Sequence, residues 1–247
     1  MSRVPSAVVR TILTSLVWTG ALGAGIAYAG TDAGSINFIL GYKSLTKDWY
    51  LGPPIVTIRG ELLEPGRANQ PTLGVEMTWG RQGWPAMIAL DLYHSYDDGI
   101  FNFPGFATIP AFDLRRRART LEVALGVRRA WNVVGFSPYL GAGGSWIGGQ
   151  YAVEVSDPYA APFGELTASA RGREAAFGYW AGGGIYHRIG PRFQIGLAGR
   201  YSKATLPAFA LHLDGTTPPL AVDTVPELDA GGRTINLVVG WSFPSRQ

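Results

Sequence analysis

The sequence predicts an all-β chain, an eight-stranded antiparallel up-and-down barrel that crosses a bilayer, and three observations carry that prediction. The first is composition. Of 247 residues 34 are glycine, about twice the ordinary share of roughly 7%, while aromatic residues reach 12% and charged residues fall to 16%. Glycine costs a helix interior about 1 kcal/mol relative to alanine, which argues against a helical bundle. A hydrophobic content of 47% with a net charge of +3 excludes a disordered chain. The second observation is period-two alternation of apolar with small or polar residues, in segments of the roughly ten residues that a tilted membrane strand needs. The third is spacing: three short turns alternate with four long segments near 44–70, 97–118, 149–172 and 203–230. An even strand count with short turns on one side and long loops on the other is the asymmetry of membrane barrels.

Residues 1–29 read as a cleaved signal peptide. Arg3 and Arg10 precede an apolar run from Thr11 to Ile26, and Ala27-Tyr28-Ala29 has the small-x-small form that places cleavage at Ala29/Gly30. An uncleaved helical anchor is the competing reading, weakened by Gly20, Gly23 and Gly25. Loss of the segment removes two of the 21 basic residues and none of the 18 acidic ones, leaving 19 against 18. That near-neutral balance gives no reason to expect a nucleic-acid partner. Residues 30–247 form the barrel domain. Within it the uncharged stretch from Ala130 to Val153 is long enough to suggest a membrane helix. Pro138 and the glycines 141, 143, 144, 148 and 149 suit a turn and a strand better.

The strands follow in order. Ile36, Phe38, Leu40 and Tyr42 face lipid in the first, with Asn37, Ile39, Gly41 and Lys43 inward. A hairpin pairs Leu73, Val75, Met77 and Trp79 with Ile88, Leu90, Leu92 and His94 across the turn signal 80–85, leaving Glu76, Asp91, Tyr93 and Ser95 on the other face. A second hairpin joins Leu121–Val127, with inward Glu122 and Arg128, to a glycine-rich strand near Pro138–Gly148 whose faces stay open. A third joins Ala175–Tyr186 to Arg192–Ser202, with Gln194 and Arg200 inward. In the last, Ile235, Leu237, Val239, Trp241 and Phe243 form one apolar face opposite Thr234, Asn236 and Ser242. Ile55–Leu63 is counted with the first long segment, because a ninth strand would spoil the parity. Glycine is expected to make room in a narrow lumen, and aromatic residues to favour the lipid face and the loops.

This alternation, the glycine and aromatic content and the terminal strand resemble the small eight-stranded outer-membrane barrels, the class that includes the transmembrane domain of outer-membrane protein A and the outer-membrane protein W family. The resemblance implies a bacterial outer-membrane location, insertion by the barrel-assembly machinery and contact with outer-membrane lipid and lipopolysaccharide. A soluble lipocalin-like barrel is the rival fold; it would turn its apolar faces inward. A closed barrel has no free sheet edge, so a monomer is expected.

Candidate sites fall in three places. The inward charges Lys43, Glu76, Asp91, Glu122, Arg128 and Arg200 carry both signs and should pair in a lumen only wide enough for its own side chains. The result is an ion-pair plug and a structural or envelope-interaction role; the alternative use of the same residues is a gated pore or proton path. Arg115, Arg116, Arg117 and Arg119 cluster where the fourth strand enters the membrane, and arginine pairs bidentately with phosphate, so they are candidates for lipopolysaccharide contact. Phe101, Phe103, Phe106 and Phe112 in the second long segment, and Phe209 and Leu211 in the fourth, make those segments unusually apolar. They either pack on one another or form a funnel for a small hydrophobic ligand, the basis of a channel or transporter reading. A lipid-modifying enzyme is the third reading. Its histidine and serine would have to be His94 and Ser95, which alternation sends to opposite faces. The chain has no cysteine and its three histidines lack metal-ligand spacing; no metal or other cofactor is expected.

Overall fold

A computed structural model of the chain describes residues 33–44, 69–80, 84–103, 112–131, 136–157, 166–190, 192–214, 221–225 and 227–243. The strands are β1 (Ala33–Ser44), β2 (Asn69–Gly80), β3 (Met87–Phe103), β4 (Phe112–Ala130), β5 (Phe136–Asp157), β6 (Leu166–Ile189), β7 (Phe193–Lys203), β8 (Thr205–Leu206), β9 (Phe209–Leu213), β10 (Ala221–Val225), β11 (Leu228–Asp229) and β12 (Gly232–Phe243). Strands β1 to β7 pair antiparallel in sequence order, and β12 closes the cylinder between β7 and β1. The eight barrel strands are therefore β1 to β7 and β12.

The register fixes the geometry. Stepping from Ala176 through the paired residues Ile147, Glu122, Tyr93, Gly74, Ile39, Val238 and Gly196 returns to β6 at Tyr186, a stagger of ten residues. With strands about 4.8 Å apart and about 3.3 Å per residue, this stagger tilts them by roughly 40°. On β4 the outward residues between Arg119 and Arg129 are Leu121, Val123, Leu125 and Val127. At that tilt the interval is about 25 Å tall, the height of a membrane barrel's apolar band.

The surface is inside-out relative to a soluble barrel. Phe177 and Ile235 are 85% and 74% exposed on the outer face, while Asn37 and Asp91 are fully buried inside. That distribution excludes the lipocalin-like alternative and fits strands crossing lipid. At the end with short turns, Trp84, Trp131, Phe136 and Trp241 are exposed. Phe38 and Phe193 meet Trp241 edge-on at 6.2 and 5.9 Å, part of an aromatic girdle. Gly190 takes the positive φ of 68° that the β6–β7 turn requires.

The barrel has a tall wall and a short wall. Strands β7, β12, β1 and β2 have 11, 12, 12 and 12 residues; β3 to β6 have 17, 19, 22 and 24. The long segments expected near 97–118 and 149–172 are thus largely strand: β3 continues through Phe103, β4 begins at Phe112, β5 reaches Asp157 and β6 begins at Leu166. Alternation loses its apolar members once the outer face leaves lipid, although backbone pairing continues. The fourth long segment folds as well: β9 adds to the top of β6, β10 pairs with β9, and β8 pairs with β11. The signal-peptide reading of 1–29 and the Ile55–Leu63 segment lie outside the described residues.

Candidate functional site

The lumen is the most densely wired part of the protein. Glu76 on β2, Arg128 on β4, Asp91 on β3, Arg200 on β7 and Glu122 on β4 form a chain of alternating charge. Arg128 Nη1 donates to Glu76 Oε2 at 2.9 Å and its Nη2 lies 3.3 Å from both Asp91 oxygens. Arg200 donates to Asp91 at 2.8 Å and to Glu122 at 2.5 Å. Hydroxyl groups take up remaining acceptor capacity: Tyr93 and Tyr186 donate to Glu76 at 2.6 and 3.2 Å, and Ser202 to Glu122 at 3.2 Å. All five charged residues are at most 7% exposed. Such a chain tolerates burial because every charge meets its opposite. Lys43 departs from it: its Nζ donates to the carbonyl of Ala230, at 2.7 Å, in the final long segment.

Aromatic rings complete the filling. Arg200 lies 4.4 Å from the Trp180 ring centroid and 4.6 Å from that of Tyr93, and Arg128 lies 4.7 Å from that of Tyr139, which stacks on Tyr186. Aromatic residues such as Tyr42, Trp146, Phe177, Tyr179 and Trp241 are exposed on the outer face, as expected, while Tyr93, Tyr139, Tyr151, Trp180 and Tyr186 are buried inside. Their room comes from glycine across the strand pair: Gly74 opposite Tyr93, Gly184 opposite Tyr139, Gly196 opposite Tyr186. A Cβ on Gly184 or Gly196 would stand 2.7 Å from the facing tyrosine ring. Sequence alternation places glycines and tyrosines inward but cannot show which meet, because that depends on register.

Above and below this layer the lumen stays filled. Gln194 Nε2 donates to Asn37 Oδ1 at 2.6 Å, and Ser35 and Thr78 share a hydrogen bond at 2.8 Å toward the short-turn end. At the other end Leu206, Phe209, Leu211 and Leu228 of the final segment bury against Ala118, Ile147 and Tyr151 on the inner face of the tall wall. Phe209 and Leu211 are thus packed against the barrel, 6% and 5% exposed. Within the ion-pair layer, Arg128, Trp180 and Arg200 border a void of about 10 Å³, the room of one water. Arg128 Nε, Arg200 Nε and Trp180 Nε1 make no hydrogen bond to protein.

On the outside, strand pairing assembles a basic face. Arg119, Gln150 and Arg173 are adjacent on β4, β5 and β6; Arg117, Ala152 and Arg171 form the next row up, and Arg115, Glu154 and Ser169 the next. Asp98 accepts from Arg115 at 2.9 and 2.6 Å, which holds its carboxyl below the usual carboxylate range. Arg117 pairs with Glu154 at 3.2 Å and Arg171 with Asp214 at 2.5 Å. Arg171 and Arg173 are absent from the sequence-based set because they sit more than fifty residues from Arg117 and Arg119, on a stretch without apolar alternation. The side chain of Arg116 lies outside the described residues, as do those of Phe101, Phe103, Phe106 and Phe112.

His94 and Ser95 face opposite ways. His94 Nδ1 lies 3.1 Å from the Thr120 carbonyl oxygen, and Ser95 Oγ is 2.9 Å from Thr72 Oγ1 inside the lumen.

No protein-family model matches the chain, and no curated protein matches it. Among solved structures, the attachment invasion locus protein Ail of Yersinia pestis aligns at 12% identity and TM-score 0.40, over 87% of this chain and 100% of Ail. Neisserial surface protein A aligns at 11% identity and TM-score 0.38, over 85% of this chain and 94% of that one. A major outer membrane protein from Thermus thermophilus aligns at 9% identity and TM-score 0.45, over 85% and 97%. Strand order, closure, stagger and the inside-out surface place the fold of this chain in the class of small eight-stranded outer-membrane β-barrels.

Proposed function

We propose that the protein is a structural barrel of the bacterial outer membrane, exported through a signal peptide at 1–29, inserted by the barrel-assembly machinery, monomeric, and closed to solute flow. The observation that carries this reading is the filled lumen. The chain Glu76–Arg128–Asp91–Arg200–Glu122 crosses it from wall to wall, and the final segment packs over the mouth with Lys43 tied to Ala230. Opening a path would require separating buried ion pairs, each change leaving an uncompensated charge at a cost of about 3–5 kcal/mol. The same packing argues against a hydrophobic channel, since Phe209 and Leu211 contribute to the seal.

Purified folded protein in a planar bilayer is expected to give no unitary current steps at either polarity. Reproducible steps of fixed conductance would overturn the closed-barrel reading. Cell fractionation with a heat-modifiability gel tests location: the folded form should run faster than the boiled form and sediment with the outer membrane. Recovery in the soluble periplasm would count against it.

A further inference from the structure

The ion-pair layer leaves one kind of group unused. Arg128 spends both of its Nη groups on Glu76 and Asp91, and Arg200 spends both of its own on Asp91 and Glu122. Their Nε–H groups and the indole N–H of Trp180 find no acceptor among the described residues. Arg128, Arg200 and Trp180 are 2%, 7% and 2% exposed, so bulk water does not reach them. All three border the void of about 10 Å³ that lies between the ion pairs and the β6–β7 wall. A buried N–H without an acceptor keeps the full cost of its desolvation, and three such donors around one void point to an acceptor inside it.

The surrounding wall does not supply that acceptor. On the strand side the void meets Gly182, Gly183, Ala198 and Gly199, which carry no polar side chain and whose backbone groups belong to the β6–β7 ladder. Glu76 also borders it, but its oxygens already accept from Tyr93, Tyr186 and Arg128 Nη1. Nor are the arginines free to turn away. Each is gripped by two carboxylates, and each lies over a ring, Arg200 at 4.4 Å from the Trp180 centroid and Arg128 at 4.7 Å from that of Tyr139. The donors are therefore fixed in place, and the volume sets the size of what they hold. About 10 Å³ admits a single non-hydrogen atom and excludes carboxylate, phosphate and sulfate groups.

We propose that this void binds a one-atom hydrogen-bond acceptor, a halide ion or a water oxygen, between Arg128 Nε and Arg200 Nε with Trp180 Nε1 as the third donor. A halide takes all three N–H groups and brings no hydrogen that needs an acceptor of its own. A water takes two and donates to Glu76. The buried charges Lys43, Arg128 and Arg200 balance Glu76, Asp91 and Glu122, so water leaves the lumen neutral and a halide adds one negative charge. Either occupant joins Arg128 to Arg200 along the edges that the carboxylates do not reach. The inference rests on the ion-pair layer and is independent of whether the lumen conducts.

Crystals of the full mature barrel grown in sodium bromide test this directly. One peak of non-protein density is expected about 3 Å from Arg128 Nε and Arg200 Nε. Anomalous signal at the bromine edge identifies the atom as a halide, and a peak without it as water. In solution, the indole N–H resonance that disappears in Trp180→Phe should shift when bromide replaces chloride, or show cross-relaxation with a bound water. Ala198→Val, which adds two methyl groups at the wall of the void, should abolish both the peak and the response while the barrel stays heat-modifiable. A wild-type void without density, or an indole resonance that answers to neither occupant, would overturn the proposal. So would a peak that survives in Ala198→Val, since the atom would then lie outside this void.

Discussion

Strands β7, β12, β1 and β2 stop near the bilayer surface after 11 or 12 residues, whereas β3 to β6 run 17 to 24 residues and rise roughly 20 Å above it. Both walls share one backbone ladder, and they differ in what their outer faces meet. The short wall shows only lipid-facing alternation, ending at residues such as Tyr42 and Ile235. The tall wall changes from Leu121 to Arg119 in one outward step, and its inner face above that step is covered by the chain's own final segment. The lesson is that strand length and lipid exposure are separate properties: apolar alternation reports only the lipid-facing part of a strand.

The two walls are joined across the lumen. Arg200 reaches from short β7 to Asp91 and Glu122 on tall β3 and β4, and Arg128 reaches from tall β4 to Glu76 on short β2. Replacing Arg200 with alanine should therefore be the most damaging of the single changes considered, because it leaves two buried carboxylates short of a partner; a loss of about 3–5 kcal/mol is expected. Urea unfolding in lipid vesicles would measure it. A loss below about 1 kcal/mol would mean that the walls are held by strand pairing alone.

Capping separates the walls next. Leu206 is fully buried in the cluster under the tall wall, so Leu206→Ala should cost that region about 2–5 kcal/mol. The effect should be local: faster proteolysis within 204–231 and near the tops of β5 and β6, with the heat-modifiable belt intact. Simultaneous loss of the belt would show that cap and barrel form one cooperative unit.

How far the sequence foretold this depends on the same division. In the short wall the inward Asn37, Lys43, Gln194 and Asn236 follow from alternation, because one face must meet lipid and a one-residue slip would invert every side chain. Glu76, Asp91, Glu122, Arg128 and Arg200 are legible as inward for the same reason. Their order along the lumen is not, since it follows from the ten-residue stagger, which no local pattern encodes. Arg173 was hidden because, above the bilayer, outward positions carry polar residues and the periodic signal fades. Tyr93 was legible as inward, whereas Tyr139 was not, because the glycine-rich strand that carries it has no clear apolar face to alternate against.

Those glycines give a third comparison. A Cβ on Gly126 would stand 2.3 Å from the Ala142 carbonyl and 2.8 Å from the Trp180 ring, so Gly126→Ala should overpack the tall wall's inner face by about 1–3 kcal/mol. Gly199→Ala on short β7, where the nearest atom would be 4.0 Å away, should lie within about 0.5 kcal/mol of wild type. Equal effects at the two positions, measured by urea midpoint, would show that strand entropy rather than lumen packing governs glycine here.

The smallest expected effect lies at the top of the tall wall. Arg115 holds the Asp98 carboxyl below its ordinary value through paired hydrogen bonds. A carboxylate with a depressed folded pKa stabilises the fold above its unfolded value, near 3.8, and that contribution disappears as pH falls through the folded value. Because Arg115 and Asp98 are 38% and 21% exposed, solvent screening limits the pair to well under about 1 kcal/mol. Asp98→Asn should thus match wild type at about pH 2.5 and be weaker by about 0.3 kcal/mol at about pH 7, with added salt shrinking the gap. A larger gap that survives salt would mean that Asp98 supports the β3–β4 hairpin through more than its exposed ion pair, and the upper wall would then share the charge dependence of the lumen.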